Sequence, residues 1–283
     1  MSHHCTATKW KSLYCTTLTG LLLIFFLLQT RNLPGFSWSY WSYDEGVHLL
    51  AARMLASGYQ LYTDIFLVHP PVLIYSIAAA FALTETSATI GRIVAIAYAT
   101  IGLVAVALTT RELRGDLSSI VAVILLGIAP RFHHYSRVIH LDIPCMSLAT
   151  LAVAFSLYYL RSRKLRWLML TGLALAASYL TKLLLLPTIF PIFLTLFLHI
   201  RIRNSIRWYS ELLRDTFFLA VSIALPLALC LIVFDPQTMY DRLLKYHIVG
   251  METVVFKNTY GIGIISNYLR SNWGFLILAI WGM

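Results

Sequence analysis

The sequence predicts an all-α polytopic membrane protein, and three observations carry that prediction. Of its 283 residues, 59% are hydrophobic and only 12% charged, with a mean hydropathy of +0.75. Soluble domains carry roughly 25% charged residues. The apolar residues come in blocks such as Leu21-Leu22-Leu23-Ile24-Phe25-Phe26-Leu27-Leu28, longer than a soluble core of this size needs. The bases gather in short loops between those blocks, as they do in helical membrane proteins.

The first block, Leu13 to Thr30, follows Lys9 and Lys11. No small-x-small cleavage pattern follows it, so it is expected to be an uncleaved signal-anchor. Residues 31–92 then form the first extracytoplasmic loop, which carries the acidic pair Asp44-Glu45. Val47, Leu50, Ala51, Met54 and Leu55 recur at helical spacing behind that pair, and Gly58 is the stop, so an amphipathic helix is expected there. Pro70 to Leu83 is apolar but only 14 residues long, and it opens on a double proline. It is expected to begin and end outside, as a re-entrant or surface-lying helix. Helical spans are expected at Ile90 to Thr110, Leu117 to Pro130, Ile143 to Leu160, Leu165 to Leu180, Leu183 to Ile200 and Thr216 to Phe234. A last one starts at Trp273 and reaches Met283 after 11 residues, too few to cross, so the chain is expected to continue. Residues 1–283 read as a single, C-terminally incomplete transmembrane module without internal repeats.

Orientation follows from charge. Lys9/Lys11, Arg111/Arg114, Arg161/Arg163/Lys164/Arg166 and Arg201/Arg203/Arg207/Arg214 hold 12 of the 22 bases but only four of the 12 acids. The positive-inside rule makes those loops and the N-terminus cytoplasmic. The plasma membrane is the expected site in a prokaryote. The outside surface is then the first loop, Arg131 to Asp142, and Asp235 to Asn272, together holding eight of the 12 acids. Chemistry is expected there. The net charge of +10 does not argue for nucleic acid, because it is a topology signal spread over many loops. Cys5, Cys15, Cys145 and Cys230 are isolated and read as small hydrophobes.

Several residues could carry chemistry. Asp44-Glu45 is either a helix-capping pair or a catalytic one. His69 is pinned at the membrane surface by Pro70-Pro71 and is either solvated or a cationic partner for an anion. Between Arg131 and Asp142 lie two arginines, His133, His134, His140 and an acid. Arg137 suits a phosphate. His133, His140 and Asp142 form a weaker divalent-ion set whose spacing fits no strong signature. Lys182 sits between apolar runs at the outer end of a span, where it must snorkel or pair. Gly261-Ile262-Gly263 lacks the strand-turn-helix context of a phosphate loop.

In their order and spacing these residues resemble membrane glycosyltransferases of the GT-C fold, over roughly residues 10–200. The group most resembled comprises the dolichyl-phosphate-mannose-protein mannosyltransferases and the aminoarabinose-lipid A transferases. The matching pieces are Asp44-Glu45-Gly46 with Ala51-Ala52-Arg53 and Gly58, Leu61-Tyr62-Thr63-Asp64, His69-Pro70-Pro71, Ser136-Arg137 with Leu141-Asp142-Ile143-Pro144, and Trp167 with Thr181-Lys182. One position departs, because some of these transferases carry a phosphate-holding lysine where this chain has His69. The resemblance implies a GT-C-like helix bundle with amphipathic juxtamembrane helices in the first outer loop. It implies transfer of a sugar from a polyprenyl-phosphate donor to a lipid, protein or glycan acceptor outside the membrane. Asp44 would then be the base, with Glu45 and Asp142 as further catalytic acids. His69, Arg137 and Lys182 would take the donor phosphate, and Tyr62, Asp64 and Arg53 are further candidates. A divalent metal serves some relatives and not others. A transporter or flippase for a lipid or small solute, or an inactive membrane subunit, is the alternative. Transporters place ionisable residues at mid-membrane, often in repeated halves, which is not the pattern here.

Overall fold

A computed structural model describes residues 2–31, 33, 43–202 and 208–246, and these are mostly helical with no strand among them. Arg203, Arg207, most of the expected third outer loop with Gly261-Ile262-Gly263, and the segment from Trp273 lie outside the described residues. Helix α1 is Ser2–Thr30, α2 is Tyr43–Ala56, α3 is Val72–Leu83, α4 is Ala88–Arg114 and α5 is Asp116–Ile128. They are followed by α6 (Pro130–Tyr135), α7 (Asp142–Ser162) and α8 (Leu165–Tyr179). A 3₁₀ turn, Leu183–Thr188, leads into α9 (Ile189–Ile202), then α10 (Trp208–Val233) and α11 (Pro236–Tyr240). Among the described residues, four helices are long and apolar enough to cross a membrane: Ser12–Thr30 within α1, α4, α7 and α10. The protein is an all-α polytopic membrane protein.

Local chemistry sets the boundaries. The acids Asp44 and Glu45 occupy the first turn of α2 and Arg53 its last, each favourable to the helix dipole. Gly58 follows with φ of 95°, a left-handed conformation that a side chain would strain. Helix α3 begins after the double proline, and Val72 N–H donates to the Leu180 carbonyl instead of an intrahelical partner. Ser87 caps α4 by accepting from Ile90 N–H at 3.2 Å. The expected span Leu183 to Ile200 is not one helix. Pro187 lacks an N–H, and the chain runs through the 3₁₀ turn before α9 starts at Ile189.

The bundle packs most extensively along α4–α7, α7–α8 and α8–α10. Small residues permit close approach: Gly102 lies against Ser147 and Gly172 against Ser222. Two ends result. One gathers Arg111 with Asp116, Arg161 with Glu112, and Arg163 and Arg214 around the buried Asp215. The other gathers the first residues of α2, α4 and α7 with Lys182. Helix α3 has 12 residues, about 18 Å at 1.5 Å per residue, too short for a bilayer core. It starts beside Leu180 and leads directly into the start of α4, so both its flanks belong to the second end. Leu61, Ile65, Leu67, Leu73, Ile74 and Ile77 bury that end against Ile139 and Leu141.

Candidate active site

Adjacent residues on a helix point about 100° apart, and the acidic pair divides accordingly. Glu45 faces inward and is fully buried. Arg92 Nε donates to Glu45 Oε1 at 2.8 Å and Nη2 to Oε2 at 3.0 Å, a bidentate charge-assisted pair. The Ile139 N–H adds a third bond to Oε1 at 3.3 Å. Glu45 therefore joins α2 to α4 and to the segment preceding α7. Asp44 faces the other way and stays half exposed. It borders a cavity of about 370 Å³ together with His48, Asp64, Phe66 and His69.

From Asp44 a line of alternating charge runs across the site. Asp44 Oδ2 lies 3.4 Å from His140 Nε2, and His140 Nδ1 lies 2.9 Å from Asp142 Oδ2. The other Asp142 oxygen accepts from Lys182 Nζ. Asp142 is the first residue of α7, where the helix dipole favours an anion. Lys182 stands in extended backbone just after α8, at the turn into the 3₁₀ segment. The Asp142 carboxylate raises the His140 pKa; burial and Lys182 oppose it, and Asp44 assists. His48 behaves oppositely. Burial lowers its pKa, against the pull of the Ile139 carbonyl 3.5 Å from its Nδ1 and of Asp44. Its ring centroid is 5.6 Å from that of His69.

Of the remaining candidates only Asp64 lines this cavity. Tyr62 is buried with φ of 71°, and its hydroxyl donates to the His69 carbonyl at 2.9 Å. Asp64 accepts from Gln60 N–H at 2.8 Å and so closes the loop that bears His69. Arg53 is exposed in the last turn of α2 and outside the cavity lining. Arg137 Nη2 donates to the Arg31 carbonyl at 3.0 Å, which links it to the end of α1. His133 meets Gln29 across 2.9 Å. Among the described residues no three His, Cys, Asp or Glu side chains come together as a group able to hold a metal ion. The structure thus brings together Asp44, His140, Asp142 and Lys182, with His69 across the cavity, and leaves His133 elsewhere.

Sequence reasoning missed Arg92 and underrated His140. Arg92 had a signal, since a base near the start of an apolar helix requires a partner. For His140 the signal was its place two residues before Asp142 among apolar neighbours.

A family model described as dolichyl-phosphate-mannose-protein mannosyltransferase matches residues 68–239. No curated protein and no solved structure matches. The matched stretch takes in His69, Arg137, His140, Asp142 and Lys182. Asp44 and Glu45 precede it and are joined to it through His140 and Arg92.

Proposed function

The chain belongs to the dolichyl-phosphate-mannose-protein mannosyltransferase family, GT-C membrane glycosyltransferases, and from that premise we propose that it moves a sugar from a polyprenyl-phosphate donor to an acceptor on the extracytoplasmic face. The observation that carries the reading is the half-exposed Asp44 at a cavity mouth, beside a histidine, a second carboxylate and a lysine.

Asp44 takes the proton from the acceptor's nucleophile as that atom bonds to the anomeric carbon. The bond from that carbon to the phosphate oxygen breaks, and the phosphate leaves with the electron pair. A general base of this kind contributes about 10²–10⁴-fold. His69 and Lys182 supply positive charge for the departing phosphate, with Arg137 on the segment between α6 and α7. Glu45, held by Arg92, supports Asp44 from behind rather than meeting substrate. Asp142 orients the acceptor and holds Lys182. The arginine-rich end of the bundle is cytoplasmic in this reading, together with the N-terminus.

The test is Asp44→Asn in the full chain, assayed with radiolabelled polyprenyl-phosphate hexoses and pentoses and membranes of the source cells. Transfer is expected to fall by about 100-fold or more while membrane insertion stays normal. Unchanged transfer removes Asp44 as the base.

A further inference from the structure

Resting on the reading of Asp44 as the base, we propose that a second cavity, at the C-terminal end of α2, is a subsite for a neutral saccharide, the part of the acceptor remote from its reacting hydroxyl. The cavity measures about 440 Å³, within the range of about 300–1,000 Å³ found for small-ligand sites. Its polar lining comes from Gln60 and Thr63 in the loop after α2, and from Asp235 and Thr238 after α10. Tyr59 and Tyr75 also border it and remain 52% and 42% exposed.

Chemistry selects the ligand. Among the described residues that line this cavity there is no Lys, Arg or His, so it offers no cation to the phosphate of a donor or a phospholipid. A sugar presents an apolar ring face and a rim of hydroxyls. Two exposed phenol rings beside amide, hydroxyl and carboxylate groups match both features. Asp235 accepts from Thr238 N–H at 2.7 Å through Oδ2, and its Oδ1 can accept from a sugar hydroxyl. The adjoining cleft of about 280 Å³ between α3 and α10 is different, because Pro71, Leu180, Pro226 and Leu229 make it apolar. That cleft suits hydrocarbon; the cavity does not.

The loop shapes this cavity in advance of any ligand. Tyr62 has φ of 71°, a left-handed conformation that a bulky residue keeps only when its surroundings hold it. Tyr62 N–H donates to the Ile65 carbonyl at 3.0 Å, and Asp64 N–H to the Gln60 carbonyl at 3.0 Å. Gln60 N–H is tied to the Asp64 carboxylate. So held, the Tyr62 ring meets Phe234 edge-on in the cavity wall, with centroids 5.1 Å apart, while its hydroxyl fastens the His69 carbonyl. One loop therefore borders both spaces, residues 58–63 this cavity and residues 64–69 that of Asp44. Asp44 and Leu55 lie about 16 Å apart along α2 at 1.5 Å per residue. An acceptor that reaches from one to the other is a chain of sugars, and contacts with its remote end help to orient the reacting hydroxyl.

The test uses Tyr59→Ala and Tyr59→Trp in the full chain, since that ring is exposed. With source-cell membranes titrated as acceptor, Tyr59→Ala is expected to raise the half-saturating amount about 3- to 10-fold, the scale of one aromatic contact. The donor KM is expected to stay in place, and Tyr59→Trp to restore acceptor use. An unchanged acceptor requirement, or an equal rise in the donor KM, overturns the subsite. A second readout begins from the wild-type chain in lipid nanodiscs, by saturation-transfer NMR with mannotriose, cellotriose and triacetylchitotriose as probes. At least one is expected to receive saturation, to keep it in Asp44→Asn and to lose it in Tyr59→Ala. No saturation of any probe, or saturation that survives Tyr59→Ala, overturns the proposal. With the native cysteines replaced, a Thr63→Cys chain carrying a benzophenone label that captures phospholipid and no probe sugar assigns the cavity to hydrocarbon and overturns it as well. If Asp44→Asn abolishes transfer while Tyr59→Ala changes nothing, the subsite fails alone. If the probe binds through Tyr59 and Asp44→Asn leaves transfer unchanged, the base assignment fails and the saccharide site stands.

Discussion

Two neighbouring carboxylates in one helical turn have opposite fates, and that contrast governs what substitution should do at each. Glu45 is sequestered with Arg92, both side chains almost wholly buried. Removing one partner of such a pair leaves an uncompensated buried charge and costs about 3–5 kcal/mol. Glu45→Gln should therefore lower the thermal midpoint of the detergent-solubilised protein. Asp44→Asn, at a half-exposed position, should leave that midpoint near wild type while abolishing transfer. Equal midpoints for Glu45→Gln and wild type would show that the pair does not hold α2. Part of this was legible in the residues, since Asp44-Glu45 opens a helix, but the face that α2 buries is Glu45, His48, Ala51 and Ala52, and Leu50 of the expected apolar face is exposed. Which acid turns inward was not legible, because it depends on the position of Arg92, 47 residues away.

At the level of elements, packing rests on small residues where helices come closest. A β-carbon built on Gly172 of α8 would lie 2.4 Å from Ser222 Cβ and 3.0 Å from the Leu219 carbonyl oxygen of α10. Neither is the far end of a flexible side chain, so the two helices must move apart. Gly172→Ala should cost about 1–3 kcal/mol as overpacking, read as a lower thermal midpoint. Gly20→Ala in α1 meets nothing within 4 Å and serves as the unaffected control. A Gly172→Ala protein as stable as that control would contradict the close approach. Apolar blocks and periodicity expose the helices themselves in the sequence, down to the short α3 after Pro70-Pro71. The break of the Leu183–Ile200 block was legible only as Pro187, whose effect depends on where its lost hydrogen bond falls.

For the whole molecule, the two chemically distinct ends make a topological prediction. With the four native cysteines replaced, single cysteines at Asp44 and Asp142 should react with an impermeant maleimide from the extracytoplasmic side. A cysteine at the exposed Arg161 should react only from the other. Labelling of Asp44 and Arg161 from one side would overturn the orientation. The sequence by itself determined the class of the protein, most of its helices and the gathering of most of its acids in segments away from the basic loops. Burial and charge in a bilayer are costs that each segment meets locally, so composition and loop charge record them. Tertiary structure alone decided that Arg92 neutralises Glu45, that His140 stands between Asp44 and Asp142, and that Lys182 reaches Asp142. Those contacts join residues 40 to about 100 positions apart. Their distances are set by how α2, α4, α7 and α8 pack, and no local pattern encodes that.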